Sequence, residues 1–295
     1  MIPLIASAII ALVTFLFHFR RRISALQRDL RAKSEEVAQV KKDFVSYVSH
    51  ELKAPLASIQ ETTQLLLERI PGELTDKQRR LLELNLHSSK RLAGMIGKLL
   101  DLSRLQAGVV HYDMRDHEIG ALVSDVVDEF RETARQKDIT LTASIPSEPL
   151  MAAVDSTRFA QLLSGILENA VHFSNCGGAV QVSMCAIGEP PKEIPAPLRR
   201  GLTGRPRHGF ALISVCDSGP GIEDADKRTI FQAFERLPRG RKHGQHLGLG
   251  LAIARALAEA HHGAIWVEDN PGGGSIFRVL LPLADAQFQR LVKAG

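Results

Sequence analysis

His50 is followed at once by Glu51 in the segment FVSYVSHELKAPLASI, residues 44–59. A neutral imidazole attacks phosphorus well only when a base removes its proton, and a neighbouring carboxylate is such a base. A lone His-Glu pair is common on solvated helix faces; Pro55, five residues after the histidine and inside a helical hairpin, sets this one apart. Asn169 lies in DSTRFAQLLSGILENAVHFS, residues 155–174. Its side-chain oxygen suits magnesium beside a triphosphate, because that ion prefers oxygen ligands and keeps several waters. Asp217 lies in ALISVCDSGPGI, residues 211–222. A strand delivers it to a loop where Gly219 and Gly221 permit close backbone approach. A carboxylate so placed can accept a hydrogen bond from the amino group of adenine. In GQHLGLGL, residues 244–251, Gly248 and Gly250 open a helix whose free N–H groups and dipole suit a phosphate. This is neither a Walker loop nor a Rossmann fingerprint, since no GK[ST] follows. Just before it, Arg239, Arg241, Lys242 and His243 form a basic stretch fit to close over phosphates.

These residues need elements to hold them. Residues 2–19 are apolar apart from Ser7, Thr14 and His18, and Arg20, Arg21 and Arg22 follow directly. Eighteen residues at about 1.5 Å each span roughly 27 Å, enough for a hydrocarbon core. The charge comes after the apolar run, which is the wrong order for a cleaved signal peptide. The expectation is one transmembrane helix with the arginines and the rest of the chain in the cytoplasm, a single-pass protein of the inner membrane; a buried core helix is the alternative. Beyond it Ile23, Leu26, Leu30, Val37, Val40, Phe44 and Tyr47 fill a and d positions of one heptad frame, broken only by Lys33. A parallel dimer is implied, with His50 at a g position beside the seam.

Pro55 is expected to kink or loosen this helix, which resumes to Ile70 and ends at Pro71-Gly72. Thr75 or Asp76 caps a second helix running to about Ser103, with Leu81, Leu82, Leu84, Leu92, Met95, Leu99 and Leu102 as its apolar stripe. Two such helices per chain give a four-helix bundle in a dimer. After Ala107-Gly108 the pattern predicts strands at Val109–Met114, Ile139–Ile145, Val180–Ile187, Phe210–Cys216, Ala264–Glu268 and Ser275–Leu281. It predicts helices at Ile119–Lys137, Asp155–Phe173 (capped by Asp155 or Ser156) and Ala252–His261. That mixed order suggests an α+β sandwich. Residues 188–208, with five prolines and four arginines and no periodicity, read as an inserted surface loop or as a basic docking patch. The division is then a transmembrane helix at 1–19, a coiled-coil linker at 20–42, a dimeric helical hairpin at 43–107 and an α+β domain at 108–285, which the resemblance below makes the phosphotransfer domain and the ATP-binding domain.

Composition narrows the function classes. Charged residues are 24% and the net charge is +4, with acidic and basic residues nearly balanced, which argues against a nucleic-acid partner. Aromatic content of 5% argues against base stacking. Cys176, Cys185 and Cys216 are odd in number and contain no CxxC pair, so neither a disulfide framework nor a zinc site is expected.

Taken in order, these motifs resemble the HisKA-type sensor histidine kinases of two-component systems from about Arg20 to Leu283. The His50 segment is similar to the H box, the Asn169 segment to the N box, and Asp217–Ile222 to the G1 box. Residues 230–236, IFQAFER, are similar to the F box, and 248–251, GLGL, to the G2 box. HHGAIWVEDNPGGGSIFRVLLPL resembles the closing strands. The resemblance implies a dimeric phosphotransfer domain, a Bergerat-type ATP-binding domain, His50 as phosphoacceptor and Glu51 as its base. It implies Asn169 on Mg2+, Asp217 on adenine, and Gly219, Gly221, Gly248, Gly250 and Arg236 around ATP. It also implies, as acceptor, an aspartate of a response-regulator receiver domain on a separate protein.

Three positions depart from the family pattern. A second Asn is usual four residues before Asn169, where this chain has Gly165; Lys or Arg is usual where it has His172; Thr or Asn is usual where it has Ala54. The first two imply altered nucleotide or metal affinity, the third weak phosphatase activity toward the partner. Two other readings stand beside the kinase: an ATP-binding scaffold that signals by conformation, and another ATPase of the same superfamily.

Overall fold

The computed structural model describes residues 51–70, 72–195, 198, 199, 202, 209–235 and 248–284. The expected membrane helix at 2–19, the heptad seam, His50, Arg236 and the basic stretch 239–243 lie outside them. No helix among the described residues is long and apolar enough to cross a membrane. The described chain forms two compact units, one of residues 51–89 with 107–109 and one of 90–106 with 110–284.

In the first unit residues 51–67 are helical (α1), and Pro55 does not end the helix. The turn uses Arg69 at φ 62° and Gly72 at φ 145°. A second helix, α2 (Asp76–Gln106), then runs for 31 residues, about 46 Å. Its start is a reciprocal cap: the Thr75 N–H donates to Gln78 Oε1 at 2.9 Å, and the Gln78 N–H to Thr75 Oγ1 at 3.3 Å. Between the helices the buried Thr63 hydroxyl bonds the Ile59 carbonyl and Asn85 Oδ1. Much of the apolar surface stays open, with Leu52, Ile59, Leu81 and Leu84 between 41% and 64% exposed.

The second unit is a mixed sheet covered by helices. Its elements are β1 (Arg115–Glu118), α3 (Ile119–Gln136), β2 (Thr140–Ser144), β3 (Met151–Val154), α4 (Ser156–Phe173), β4 (Ala179–Ile187), β5 (Phe210–Cys216), a 3-10 turn (Thr229–Phe231), α5 (Gly250–Ala260), β6 (Ala264–Asp269) and β7 (Ser275–Pro282). The main sheet has the order β2-β4-β5-β7-β6, with β2 parallel to β4 and the other pairs antiparallel. Alternate residues of these strands, among them Val182, Ile213, Val215, Val279 and Leu281, meet the buried faces of α3, α4 and α5 in one apolar core. That is the expected α+β sandwich.

Two expectations need correction. The strand expected at Val109–Met114 lies at Arg115–Glu118, because pairing with β3 decides its position: Arg115 faces Val154 and Glu118 faces Met151. A polar RDHE run carries no strand pattern of its own, and β3 was not expected at all. The segment 188–208 is also more than a surface loop. Ile194 and Leu202 are buried and, with Leu198, pack on Phe210, Ala264, Trp266 and Leu280, the outward side chains of β5, β6 and β7. The spacing of residues 194, 198 and 202 by four is an apolar pattern that the prolines obscure in the sequence.

Candidate active site

Helix α4 organises the site. Asp155 caps it: Oδ1 accepts from the Arg158 N–H and Oδ2 from the Asp113 N–H, both at 3.1 Å. Burial works against the Asp155 charge, but those two donors and the charge of Arg158 prevail and lower its pKa. Phe159, Leu162, Leu163, Ile166, Leu167, Ala170 and Val171 are buried at helical spacing. The opposite face, with Gly165, Glu168, Asn169 and His172, is half-buried. No hydrogen bond is made by the Asn169 amide among the described residues, so its oxygen is free to bind a cation. On the same helix Glu168 pairs with Lys98 of α2 at 2.8 Å, and Gln161 donates to Asp101 at 3.0 Å.

Asp217 follows β5 and is 5% exposed. Its Oδ1 accepts from the Gly219 N–H at 2.9 Å and the Ser275 N–H at 3.0 Å. Asn270 Nδ2 holds the Asp217 carbonyl at 3.0 Å. The hairpin between β6 and β7 thus clamps the carboxylate, and Oδ2 makes no bond among the described residues. Burial pushes the carboxyl pKa up, and the two N–H donors offset that only in part. Gly219 has no room for a side chain: a Cβ would lie 2.9 Å from Asp217 Oδ1 and 3.0 Å from the Phe173 carbonyl. Gly221 follows at φ 74°.

The third wall is the turn into α5. Gly248 takes φ 69°, and its carbonyl accepts from the Phe234 N–H at 3.1 Å. A side chain there would collide with the Glu235 carbonyl. Helix α5 begins at Gly250, two residues before the expected start, and Leu249 caps it without a side-chain bond. The first-turn N–H groups therefore point at no capping side chain, the arrangement that receives an anion.

The three walls meet along α4. Its C-terminal end is stitched to the Asp217 loop, where Asn175 Nδ2 donates to the Ser218 carbonyl at 3.1 Å. About two turns earlier in the helix, Gly165 faces Gly250: a Cβ on Gly165 would lie 3.2 Å from the Gly250 carbonyl oxygen. Asn169 is four residues from Gly165 and four from Phe173, about 6 Å along the helix each way. Helix α4 thus reaches the Gly250 turn at Gly165 and the Asp217 loop at its C-terminal end, with Asn169 between the two; among the described residues this gives an acceptor oxygen on Asp217, an amide oxygen on Asn169 and uncapped N–H groups at the start of α5. Glu51 is exposed on α1 in the other unit. Missing from the sequence reading were Ser275, Asn270, Ser218 and Asn175, which hold the site together; the GGGS run before β7 was their one visible trace.

Residues 40–108 match the family model described as the His Kinase A (phospho-acceptor) domain. Residues 154–285 match that of the histidine kinase-, DNA gyrase B- and HSP90-like ATPases. Sensor histidine kinase TmoS of Ectopseudomonas mendocina is 33% identical over 244 residues, 82% of this chain and 23% of that protein. Hybrid signal transduction histidine kinase D of Dictyostelium discoideum is 31% identical over 268 residues, 90% of this chain and 16% of that one. Among solved structures, full-length ShkA in complex with AMPPNP aligns with a TM-score of 0.66 at 26% identity, over 82% of this chain and 46% of that chain. The chain thus spans less than a quarter of the length of these two curated relatives.

Proposed function

We propose, for a chain that belongs to the HisKA-type sensor histidine kinases with a GHKL-type ATPase domain, an enzyme that phosphorylates its own His50 from ATP and passes the phosphoryl group to an aspartate of a separate receiver domain. The observation that carries the reading is the Asp217 carboxylate, buried, fixed through one oxygen and open at the other. That open oxygen suits the adenine amino group. The uncapped start of α5 suits the phosphates, and Gly248 and Gly250 belong to that end; Arg236 is assigned to ATP on the family resemblance alone. Asn169 fits Mg2+ because its amide is half-buried and unspent; the ion would draw charge from the transferring phosphoryl group. In the transfer, a His50 nitrogen bonds the γ-phosphorus while the bond from that phosphorus to the bridging oxygen breaks and ADP leaves. Glu51 takes the proton from the other ring nitrogen, so the ring is left uncharged and the negative charge stays on the phosphoryl oxygens.

Several finer points belong to the same proposal. The open leucines of α1 and α2 suit a four-helix bundle with a second copy. Residues 2–19, bordered by three arginines, suit a single-pass anchor in the cytoplasmic membrane, with 20–42 as the linker, 43–107 as the phosphotransfer domain and 108–285 as the ATP domain. Ala54, exposed and four residues after His50 in the sequence, offers no side-chain hydrogen bond to orient water, so phosphatase activity toward the partner is weak.

The test is to incubate the full-length protein in detergent with Mg2+ and ATP labelled on the γ-phosphate. Wild type should take up acid-labile label and His50→Gln none, with ATP binding kept. Binding without label on wild type would leave the scaffold reading; steady turnover without a phosphoenzyme would leave the simple ATPase.

A further inference from the structure

A glycine in the middle of the 18-residue α4 costs about 1 kcal/mol relative to alanine. At Gly165 the space that a side chain would need is already taken. A Cβ there would lie 3.2 Å from the Gly250 carbonyl oxygen, 3.7 Å from the Gly250 carbonyl carbon and 3.9 Å from the Ala254 Cβ. The contact is mutual, since a Cβ on Gly250 would lie 3.7 Å from the Gly165 carbonyl oxygen. Gly94 and Gly97 of α2 differ, for neither has any atom within 4 Å of the Cβ position. Gly250 is the first residue of α5, and Leu249 before it supplies no side-chain cap. Two backbone contacts therefore hold the first turn of α5: Gly248 against Glu235 on one side, and Gly250 against Gly165 on the other. Asn169 stands one turn further along α4, on the same face.

We infer that Gly165 is a positioning residue, whose missing side chain sets how closely the first turn of α5 lies to α4 and so where its N–H donors stand relative to Asn169. The inference rests on the nucleotide reading of this cleft. It changes the meaning of the departure at 165. An oxygen-bearing side chain is absent there because the α5 backbone occupies its place. Restoring Asn would push that backbone away by a few tenths of an ångström, so it would harm phosphate binding. Binding at the other end, where Asp217 sits, would be untouched.

The test uses full-length Gly165→Ala, Gly165→Asn and, as control, Gly94→Ala. Affinities for ATP with Mg2+ and for adenosine are measured by calorimetry, and melting temperature without nucleotide is recorded. A misplacement of about 1 Å can cost about a hundredfold, so one of a few tenths of an ångström should cost up to about tenfold. Both Gly165 variants should lose ATP affinity by about that factor, with adenosine affinity kept, and autophosphorylation should show a raised KM with kcat little changed. Gly94→Ala should match wild type. For Gly165→Ala the melting temperature should hold or rise, because alanine favours the helix. Unchanged or tighter ATP binding in Gly165→Asn overturns the inference. So does an equal loss of ATP and adenosine with a lower melting temperature, which would make the glycine a packing residue only. If wild type binds adenosine but not ATP, or neither, the nucleotide reading itself fails and takes this inference with it; that result is separate because it appears before any substitution.

Discussion

Replacing Asp217 by Asn keeps the size of the side chain and changes only what its second oxygen can do. Oδ1 accepts two backbone N–H groups, from Gly219 at 2.9 Å and Ser275 at 3.0 Å. An amide carbonyl can keep both, so the loop should stay folded, and the Asn nitrogen must then stand where Oδ2 was. That nitrogen is a donor and would face the adenine amino group, also a donor. A hydrogen bond to a charged group contributes about 1.5–3 kcal/mol. At about 1.4 kcal/mol per tenfold, its loss weakens ATP by about ten- to hundredfold. A purine with a carbonyl in place of the amino group, as in ITP, should lose much less or gain, because the new donor meets an acceptor. Calorimetric titration of wild type and Asp217→Asn with ATP and ITP reads both effects. pH adds a second signature. Burial holds the Asp217 pKa above the ordinary 3.8, so ATP binding by wild type should weaken as pH falls through that raised value, while the variant stays flat. Stability carries the opposite sign: with a raised folded-state pKa, wild type loses stability as pH rises through that same window, and the Asn variant does not. An Asp217→Asn protein that binds ATP as tightly as wild type, with no shift toward ITP, would refute the assignment of this oxygen to adenine.

Three further outcomes are expected. His261 is almost fully buried and must be neutral, since Nδ1 lies 2.8 Å from the Leu257 carbonyl as donor and Nε2 accepts from the Asp155 N–H at 3.1 Å. Burial, the leading cause, depresses its pKa below 6.5, so its contribution to stability is full above that value and is lost as pH falls below it; the melting temperature of wild type should drop between pH 7.5 and 5.5, and a similar drop in His261→Gln would count against this. Leu202→Ala should cost about 2 kcal/mol by denaturant unfolding and shift the emission of the single tryptophan, Trp266, to the red, because that side chain helps to cover it; unchanged emission would mean that the 188–208 segment does not shield the sheet. Ala54→Thr should speed loss of label from a phosphorylated receiver domain mixed with the kinase, and a fast wild-type rate that the substitution leaves unaltered would contradict the weak-phosphatase expectation.

Local rules made much of the fold legible. The Asp155 cap, the spacing of Phe159, Leu162, Leu163 and Ile166, and the short apolar runs along Phe210–Cys216 and Ser275–Leu281 each depend on residues within a few positions of one another, so the sequence carries them directly. The order of Asn169, Asp217, Gly219, Gly221, Gly248 and Gly250 was legible for the same reason, as short motifs with their own backbone demands. What lay hidden was which motif meets which. Asp217 is held by Ser275, which is 58 residues away. The strand at Arg115–Glu118 exists because Met151–Val154 lies beside it. The prolines of 188–208 masked an apolar pattern that is recognisable only once the outer side of the sheet is seen to need cover. Gly165 is, in the sequence, only a departure from the family pattern; in the structure Gly250 lies against it. A residue's dihedral preferences and the face it occupies are set by its neighbours in the chain, but the space available to it is set by whatever packs there. Periodicity could therefore identify the parts of this protein, and only the tertiary structure decided how close they come.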